Sequence, residues 1–395
     1  MTAIRPDILK LRSNGIGLVA YEGLGDPDII PLWFGETDLV TPSFIREAAK
    51  KALDEGKTFY VHCRGIAPLR QAITEFHERM IDAKIGLERV TVPGSAMLSV
   101  IVALQCVATR GDRIVIVSPI WPNIFQAAEV VGAMPTLVPL AANWSSTKPC
   151  WQLDLDQLFD ACDDSTKAIF ISSPGNPTGW TMAREEQLAV LDFARQRGIA
   201  IISDEVYGPL VFDGTKHAPS FLQIANADDD VFVINSFSKP WAMTGWRVGW
   251  LVHSRALDEP MNVISVVDNS GATAFAQYGA LAALSHEGEA FLASMRKRCA
   301  DGRTVVQEFL GGQNRIRWIP PDGAFYGFLR LENLKNSLEF ARGLVRRWRV
   351  GVAPGSAFGA EGDPRNEACI RICFALDPTM LREWLDRIGK ALTHV

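Results

Sequence analysis

The sequence has no excess of positive charge and no cysteine-pairing motif. Its 40 lysines and arginines face 45 aspartates and glutamates, which gives a formal net charge of −5. Because nucleic-acid binders neutralise phosphates with basic side chains, this balance argues against a chromatin- or DNA-binding protein. The seven cysteines are odd in number and form no C-x-x-C, which predicts reduced thiols in a cytosolic protein. Small-molecule chemistry is the function class that the composition favours.

Segments for secretion, membrane insertion or metal binding are also missing. Residues 1–7 lack the apolar stretch of a secretory signal. The longest uncharged run, residues 90–109, contains Pro93 and Gly94, so it predicts a buried strand, a turn and a helix rather than a membrane span. The motif H-E-x-x-H is absent and the six histidines are isolated, so no metal site is expected. We therefore expect a soluble, cytoplasmic protein.

What is present is the composition of an ordinary globular protein, with 48% hydrophobic and 22% charged residues. In the middle of the chain, β-branched runs alternate with amphipathic segments, which is typical of a parallel sheet with crossover helices. The predicted strands are 113–117, 168–172, 199–203, 231–236 and 248–252, and the predicted helices between them include 124–131, 153–161 and 184–197.

From about Asn269 the alternation stops, which predicts a smaller α+β unit. Its predicted helices are 272–284, 289–310, 337–348 and 378–392, and its predicted strands are 315–319, 324–331 and 371–375. No flexible Ser/Gly linker separates the two units, so we expect them to pack tightly.

Two short motifs are misleading. Residues 15–20 satisfy the dinucleotide-binding pattern G-x-G-x-x-A, but no predicted strand precedes them. Residues 236–239 satisfy the serine-hydrolase pattern S-x-x-K, but they end a buried strand and have no K-T-G or S-D-N partner.

Four other motifs carry the chemistry, and the first three follow predicted parallel strands, whose carboxyl ends form the ligand crevice of an open α/β sheet. The motifs are 172–179 (SSPGNPTG), 203–207 (SDEVY), 236–249 (SFSKPWAMTGWRVG) and 371–375 (RICFA). Together with Phe34-Gly-Glu36, this ordered set resembles the fold-type I aminotransferases of class I/II, which use pyridoxal 5′-phosphate (PLP).

The resemblance implies an α/β fold of three layers, with a mostly parallel central sheet and a smaller α+β domain. It implies an N-terminal segment (1–40) joining the small domain, a large PLP-binding domain (41–285) and a small domain (286–395). It also implies a homodimer whose site is completed by the partner subunit. The implied activity is ping-pong transfer of an amino group from an L-amino acid to a 2-oxo acid through aldimine and ketimine intermediates.

Lys239 follows an apolar strand, where burial disfavours the ammonium and lowers its pKa toward that of a nucleophile. The resemblance implies that it forms the Schiff base with PLP and then moves the proton; the alternative is a surface lysine. Asp204 would pair with the pyridine nitrogen, or would merely cap the next element. Tyr207 and Asn176 would bind the phenolic oxygen of the cofactor, Asn176 also facing substrate, or would be structural turn residues.

The phosphate of PLP needs positive charge and hydrogen-bond donors, which an arginine fork and the N-terminus of a helix supply. The residues that the resemblance implies for this role are Arg247, Ser236, Ser238, the amides of Ser95 and Ala96, and Tyr60 across the dimer interface.

Three further residues complete the implied site. Trp121 would stack on the pyridine ring, with a place in the core as its alternative. Arg371, on an apolar strand, would clamp the substrate α-carboxylate, with a buried ion pair as its alternative. Gly35 would let its backbone approach the same carboxylate.

Substrate and reaction type are less constrained. Residues 256–295 contain no lysine or arginine, and Ser95 stands where some dicarboxylate-specific relatives have a lysine. An apolar, aromatic or sulfur-bearing donor is therefore at least as well supported as aspartate.

The alternative reaction is a PLP-dependent carbon–sulfur β-lyase. A PLP-sensing regulator is disfavoured because the Gly35 motif lies too near the start of the sequence for a DNA-binding domain to precede it. An inactive scaffold is disfavoured because Lys239, Asp204 and Arg371 are all present.

Overall fold

The computed structural model describes residues 3–392. The α-helices are α1 (Gly15–Ala20), α2 (Ser43–Asp54), α3 (Ala67–Ile81), α4 (Ala96–Val107), α5 (Asn123–Val131), α6 (Leu155–Asp160), α7 (Arg184–Arg197), α8 (Asp258–Asp268), α9 (Ala274–Ala283), α10 (His286–Gly311), α11 (Ser337–Trp348), α12 (Pro364–Glu367) and α13 (Pro378–Leu392). The strands are β1 (Ile30–Pro31), β2 (Val90–Gly94), β3 (Arg113–Ser118), β4 (Met134–Pro139), β5 (Ala141–Asn143), β6 (Cys150–Gln152), β7 (Thr166–Ser172), β8 (Ala200–Asp204), β9 (Val231–Ser236), β10 (Gly249–Val252), β11 (Ile316–Trp318), β12 (Tyr326–Leu331), β13 (Val350–Gly351), β14 (Ala353–Pro354) and β15 (Cys369–Cys373).

A mixed, mostly parallel sheet forms the centre of the molecule, in the order β2-β10-β9-β8-β7-β3-β4. Strands β9, β8, β7, β3 and β4 run parallel. Every residue of β8 and β9 is buried, as expected of strands covered on both faces. The predicted α/β class is confirmed.

Strand β10 departs from the predicted alternation, since it runs antiparallel to both β9 and β2. A parallel return needs a long crossover, usually a helix. Residues 237–248 form instead an irregular loop with one 3₁₀ turn, Thr244–Trp246, so the chain turns back beside β9. This loop begins with the motif that carries Lys239.

A second sheet, in the order β11-β12-β15-β14, is antiparallel. The N-terminal segment reaches this half of the chain because β1 pairs with β13, Ile30 opposite Val350. The predicted division into residues 1–40, 41–285 and 286–395 stays a prediction. Residues 1–2 and 393–395 of the predicted outer units lie outside the described residues.

Two local predictions agree with the structure, the strand, turn and helix at 90–109 and the helix break near Ser285. The uncharged run 90–109 forms β2 and α4, as predicted. The break predicted near Ser285 is real, because the Ser285 side chain accepts the Gly288 N–H and starts α10. All seven cysteines are free. Within residues 3–392, no helix is long and apolar enough to cross a membrane, and no group of three acidic, histidine or cysteine side chains could hold a metal ion.

Candidate active site

A cavity of about 200 Å³ opens at the carboxyl ends of the parallel strands. Ser172 at the end of β7 and Asp204 at the end of β8 are neighbours in the ladder, and Ser236 ends β9. The cavity is lined by Ala96, Met97, Val100, Trp121, Ser172, Asn176, Asp204, Val206, Tyr207, Ser236, Ser238, Lys239 and Arg247. Nine of the residues predicted from the sequence therefore share one cavity: Trp121, Asn176, Asp204, Tyr207, Lys239, Arg247, Ser236, Ser238 and Ala96.

Lys239 lies in the loop after β9, and its half-buried side chain crosses to the N-terminal segment. Its Nζ donates a hydrogen bond of 2.5 Å to the carbonyl oxygen of Gly35. Burial lowers the pKa of Lys239 to about 8, against the raising effect of the nearby Cys373 and Glu36. An amine with that pKa is partly neutral near neutral pH, which is the form that attacks a carbonyl. The surface-lysine alternative does not hold.

Asp204 is 8% exposed at the end of β8. Its Oδ1 accepts the backbone N–H of Val206 at 3.2 Å, so the capping alternative describes part of its role. Burial raises the pKa of Asp204 to about 6, while the Val206 N–H and Lys239 act in the lowering direction. A cationic partner in the cavity would relieve this desolvation and keep the carboxylate charged.

Two polar side chains that can form further hydrogen bonds, Asn176 and Tyr207, face the same cavity. Asn176 is buried, and its Oδ1 has no hydrogen-bond partner among the described residues. The hydroxyl oxygen of Tyr207 lies 2.6 Å from that of Tyr326. Burial raises the pKa of Tyr207 well above its usual value, so the phenol is neutral at physiological pH. A buried acceptor without a partner is costly in a protein alone, which indicates that a ligand completes the site.

The opposite end of the cavity is suited to an anion. Ser95 is the N-cap of α4, and its Oγ accepts the Leu98 N–H at 3.2 Å, so its hydroxyl is already engaged. Arg247 is exposed and donates from Nη1 to the Thr244 carbonyl at 2.8 Å, which leaves its other N–H groups available. Arginine beside a helix N-terminus is a strong site for a phosphate group.

Arg371 lies on β15, 1% exposed, beyond the cavity's lining. Its Nη2 donates to the Trp33 carbonyl at 2.7 Å, and its Cζ lies 4.6 Å from the centre of the Tyr326 ring. The Nε and Nη1 atoms have no hydrogen-bond partner, and no carboxylate within residues 3–392 pairs with the guanidinium. The buried ion pair considered as an alternative is therefore wrong for the described part of the chain.

Gly35 lies where three parts of the site meet. Its carbonyl accepts the Lys239 hydrogen bond, and a Cβ placed on it would come within 1.8 Å of the Tyr326 hydroxyl. No larger residue fits there without displacing a site residue, which gives the Phe34-Gly-Glu36 motif a steric basis.

Tyr60 is the predicted cofactor residue that lies far from this cavity within a single chain. Its side chain is 95% exposed, in a segment that lines a separate groove with residues 269–275. A surface tyrosine of this kind reaches a cavity only on another molecule, which is the role that the resemblance implies.

Sequence reasoning missed Tyr326 and Glu205. Tyr326 is one of only five tyrosines and contacts both Tyr207 and Arg371, which are 119 and 45 residues away in the sequence. Its position as the first residue of β12 gave no local signal. Glu205 follows Asp204 directly and is 1% exposed, with one carboxylate oxygen lacking a partner.

Comparison with known proteins gives consistent results. The family described as "Aminotransferase class I and II" matches residues 27–388. An aspartate aminotransferase of Pyrococcus horikoshii is 34% identical over 367 residues, which are 92% of this chain and 91% of that protein. An aromatic-amino-acid aminotransferase of Thermococcus litoralis is 32% identical, covering 93% and 92% of the two chains. The Thermus thermophilus aspartate aminotransferase with maleate superposes with a TM-score of 0.87 at 25% identity, covering 99% and 100%.

Proposed function

The chain belongs to the class I and II aminotransferases, and we propose on that premise that it works with PLP attached at Lys239. It is a transaminase, which moves an amino group from an amino acid to a 2-oxo acid. The names of its relatives give no support to the carbon–sulfur lyase alternative. Members of the family use PLP, which supplies an aldehyde for the amino group and a ring that withdraws electrons from the bond to be broken.

The observation that carries the proposal is the convergence of three groups on one cavity. Lys239 offers an amine with a pKa of about 8, Asp204 a buried carboxylate, and Asn176 a buried acceptor without a partner. A pyridine cofactor presents one partner for each: an aldehyde for the amine, a protonated ring nitrogen for the carboxylate, and a phenolic hydroxyl that donates to the amide oxygen. The fit is chemical as well as spatial, since the cationic ring nitrogen would offset the desolvation of the Asp204 carboxylate.

We assign the cofactor contacts as follows. Asp204 would hold a proton on the ring nitrogen, and Tyr207 would donate to the phenolic oxygen, since its phenol stays neutral. Trp121 would cover one ring face. The phosphate would lie against Arg247, the hydroxyls of Ser236 and Ser238, and the amides of Ser95 and Ala96 at the start of α4.

Arg371 and Gly35 would bind the substrate. The free Nε and Nη1 of Arg371 are two donors, and a carboxylate accepts such a pair along one edge of the guanidinium. Lys239 would release the Gly35 carbonyl when its amine is used in the reaction, and it would then carry the proton from the substrate α-carbon to the former aldehyde carbon of the cofactor.

For the amino donor, we propose an uncharged and preferably aromatic side chain. Met97, Val100 and Trp121 line the cavity, whose basic residues are Lys239 and Arg247, both already assigned to the cofactor. Residues 256–295 offer no basic group from a partner subunit either. A second substrate carboxylate would thus stay unpaired. Relatives named for aspartate and for aromatic amino acids are both about equally similar, so names do not decide between the two.

The test is a donor screen with 2-oxoglutarate as acceptor. We expect kcat/KM for phenylalanine to exceed that for aspartate at least tenfold, since an unpaired carboxylate costs about 1–3 kcal/mol. Faster reaction with aspartate would contradict the donor assignment. Release of ammonia and pyruvate from cystathionine without added oxo acid would instead support a lyase.

We also propose a homodimer in the cytoplasm. Two surface segments expose apolar side chains. In the first, Phe59 and Tyr60 are 82% and 95% exposed, and in α8, Val263 and Val267 are 66% and 78% exposed. Such a surface is typical of a subunit interface. Light scattering tests the dimer, with a mass of twice 43.4 kDa as the expected result.

The free cysteines support a reducing compartment.

A further inference from the structure

Tyr326 lies between the large-sheet half and the small-sheet half of the site, and its side chain is buried. It begins β12 and pairs with Cys373 on β15, which places it beside the strand of Arg371. Its exposed fraction is 1%. Because β12 belongs to the smaller sheet and Tyr207 follows a strand of the larger one, a contact between the two tyrosines joins both sheets.

The backbone holds that junction in a fixed register. The Ala324 N–H donates to the Leu210 carbonyl at 2.8 Å, and the Phe212 N–H donates to the Asp322 carbonyl at 3.1 Å. Leu210 in turn donates to the carbonyl of Tyr207. The segment that leads into β12 is thus tied to the loop that follows Asp204, so the Tyr326 side chain has little freedom to leave Tyr207.

The hydroxyl end of Tyr326 controls where the Tyr207 proton points. The two oxygens are 2.6 Å apart, and one of them must donate. Arg371 lies over the ring of Tyr326, and a positive charge there makes the phenol a stronger hydrogen-bond donor. When Tyr326 donates to Tyr207, the hydrogen of Tyr207 remains free for an acceptor in the cavity.

The ring end of Tyr326 stabilises the Arg371 guanidinium without using its donors. The Cζ of Arg371 lies 4.6 Å from the ring centre, and the Phe358 ring lies on a second side at 5.5 Å. A carboxylate in that place would pair with the guanidinium and compete with the substrate. An aromatic face compensates for burial of the charge and leaves Nε and Nη1 available.

We propose that Tyr326 is a positioning residue that sets both the Tyr207 hydroxyl and the Arg371 guanidinium, and so couples cofactor binding to carboxylate binding. The inference rests on the proposed function, since it requires Tyr207 to bind the cofactor and Arg371 the substrate. It predicts that the hydroxyl and the ring of one side chain have separable effects.

Two variants of the holoenzyme separate them. Tyr326→Phe removes the hydroxyl alone, and Tyr326→Leu removes hydroxyl and ring. The first readout is the pH midpoint of the absorbance band of bound cofactor. The second is the calorimetric dissociation constant of 3-phenylpropionate, a carboxylate without an amino group. Tyr278→Phe, outside the site on α9, controls for loss of a phenol, and Phe193→Leu, on α7 and stacked on Phe159, controls for loss of a ring.

For Tyr326→Phe we expect the midpoint to rise by roughly 0.5 to 1 pH unit, the effect of one lost hydrogen bond, and carboxylate affinity to change less than about twofold. For Tyr326→Leu we expect the same rise and, in addition, a carboxylate affinity roughly tenfold to thirtyfold weaker, from the lost cation–π contact. Should Tyr326→Leu fail to fold, Tyr326→Met makes the same comparison with more side-chain volume retained.

The proposal is overturned if the cofactor-band midpoint of Tyr326→Phe equals that of Tyr278→Phe, or if Tyr326→Leu binds the carboxylate as tightly as Phe193→Leu. If the wild-type protein shows no cofactor band at all, the proposed function fails and this inference with it. A normal wild-type band with unaffected Tyr326 variants refutes the positioning role alone.

Discussion

The two sides of the site are built differently. On the side of the large sheet, the proposed cofactor residues follow strand ends within short motifs, as Asp204 follows β8 and Lys239 follows β9. On the side of the small sheet, Arg371 lies within a strand and depends on Tyr326 from the neighbouring strand. The first side is therefore local in sequence, whereas the second exists only through tertiary contacts. Variants on the two sides should consequently fail in different ways.

The largest effect is expected on the large-sheet side. Lys239→Ala removes the amine proposed to attach the cofactor and move the proton, so kcat should fall by at least about 10³-fold, with loss of the cofactor absorbance band. Steady-state kinetics and absorbance measure the two effects. The control is Lys216→Ala, since Lys216 is exposed away from the cavity. A band and rate equal to those of the control would contradict the assignment.

On the small-sheet side, Arg371→Leu should leave cofactor binding within about twofold of the wild type and weaken amino-acid binding by roughly 10²-fold to 10³-fold. The reason is the loss of a buried charged pair with the substrate carboxylate. Cofactor titration and half-reaction kinetics give the two constants. Arg330→Leu, at an exposed position of β12, is the matched control. An equal loss of both affinities would make Arg371 structural and would remove the difference between the two sides.

A smaller effect is expected where the sides meet. In Gly35→Ala the new Cβ would lie 1.8 Å from the Tyr326 hydroxyl, so the tyrosine must move and carry Arg371 with it. We expect carboxylate affinity to fall about tenfold. Gly343→Ala, in α11 with open space around the added Cβ, should leave it unchanged. If Gly35→Ala binds the carboxylate with wild-type affinity, the contact between residue 35 and Tyr326 can relax without displacing Arg371.

The smallest effect concerns stability beneath the cofactor side. Burial raises the pKa of Glu205 from 4.5 to about 7, so the folded protein keeps this proton to a higher pH than the unfolded chain does. The resulting stabilisation is complete below about pH 4.5 and is lost as the pH rises through about 7. Glu205→Gln should therefore reduce the decline in unfolding free energy of the apoprotein between about pH 5 and 8 by about 1–3 kcal/mol.

Urea denaturation across that pH range measures the decline, with Glu75→Gln on the exposed surface of α3 as control. The same pH slope in Glu205→Gln and in the wild type would show that Glu205 does not hold its proton in the folded state.

The sequence predicted four of the five parallel strands, β3, β7, β8 and β9, because each contains a continuous apolar run with a turn signal after it. It missed β4, which is only partly buried and lacks such a run. It predicted β10 as a strand but not its direction, since direction depends on how the 237–248 loop returns. Helix α8 was not predicted; its exposed valines, such as Val263 and Val267, blur the amphipathic pattern. Tyr326 could not be found because its contacts with Tyr207 and Arg371 are set by tertiary packing rather than by sequence spacing.

The central claim is that the side chain at position 239 holds the cofactor, and chemical trapping tests it most directly. The protein is incubated with PLP, reduced with borohydride, digested and analysed by peptide mass spectrometry. The account predicts one dominant modified peptide, with the pyridoxyl phosphate mass on Lys239. No modification, or dominant modification of an exposed lysine such as Lys216, would contradict it.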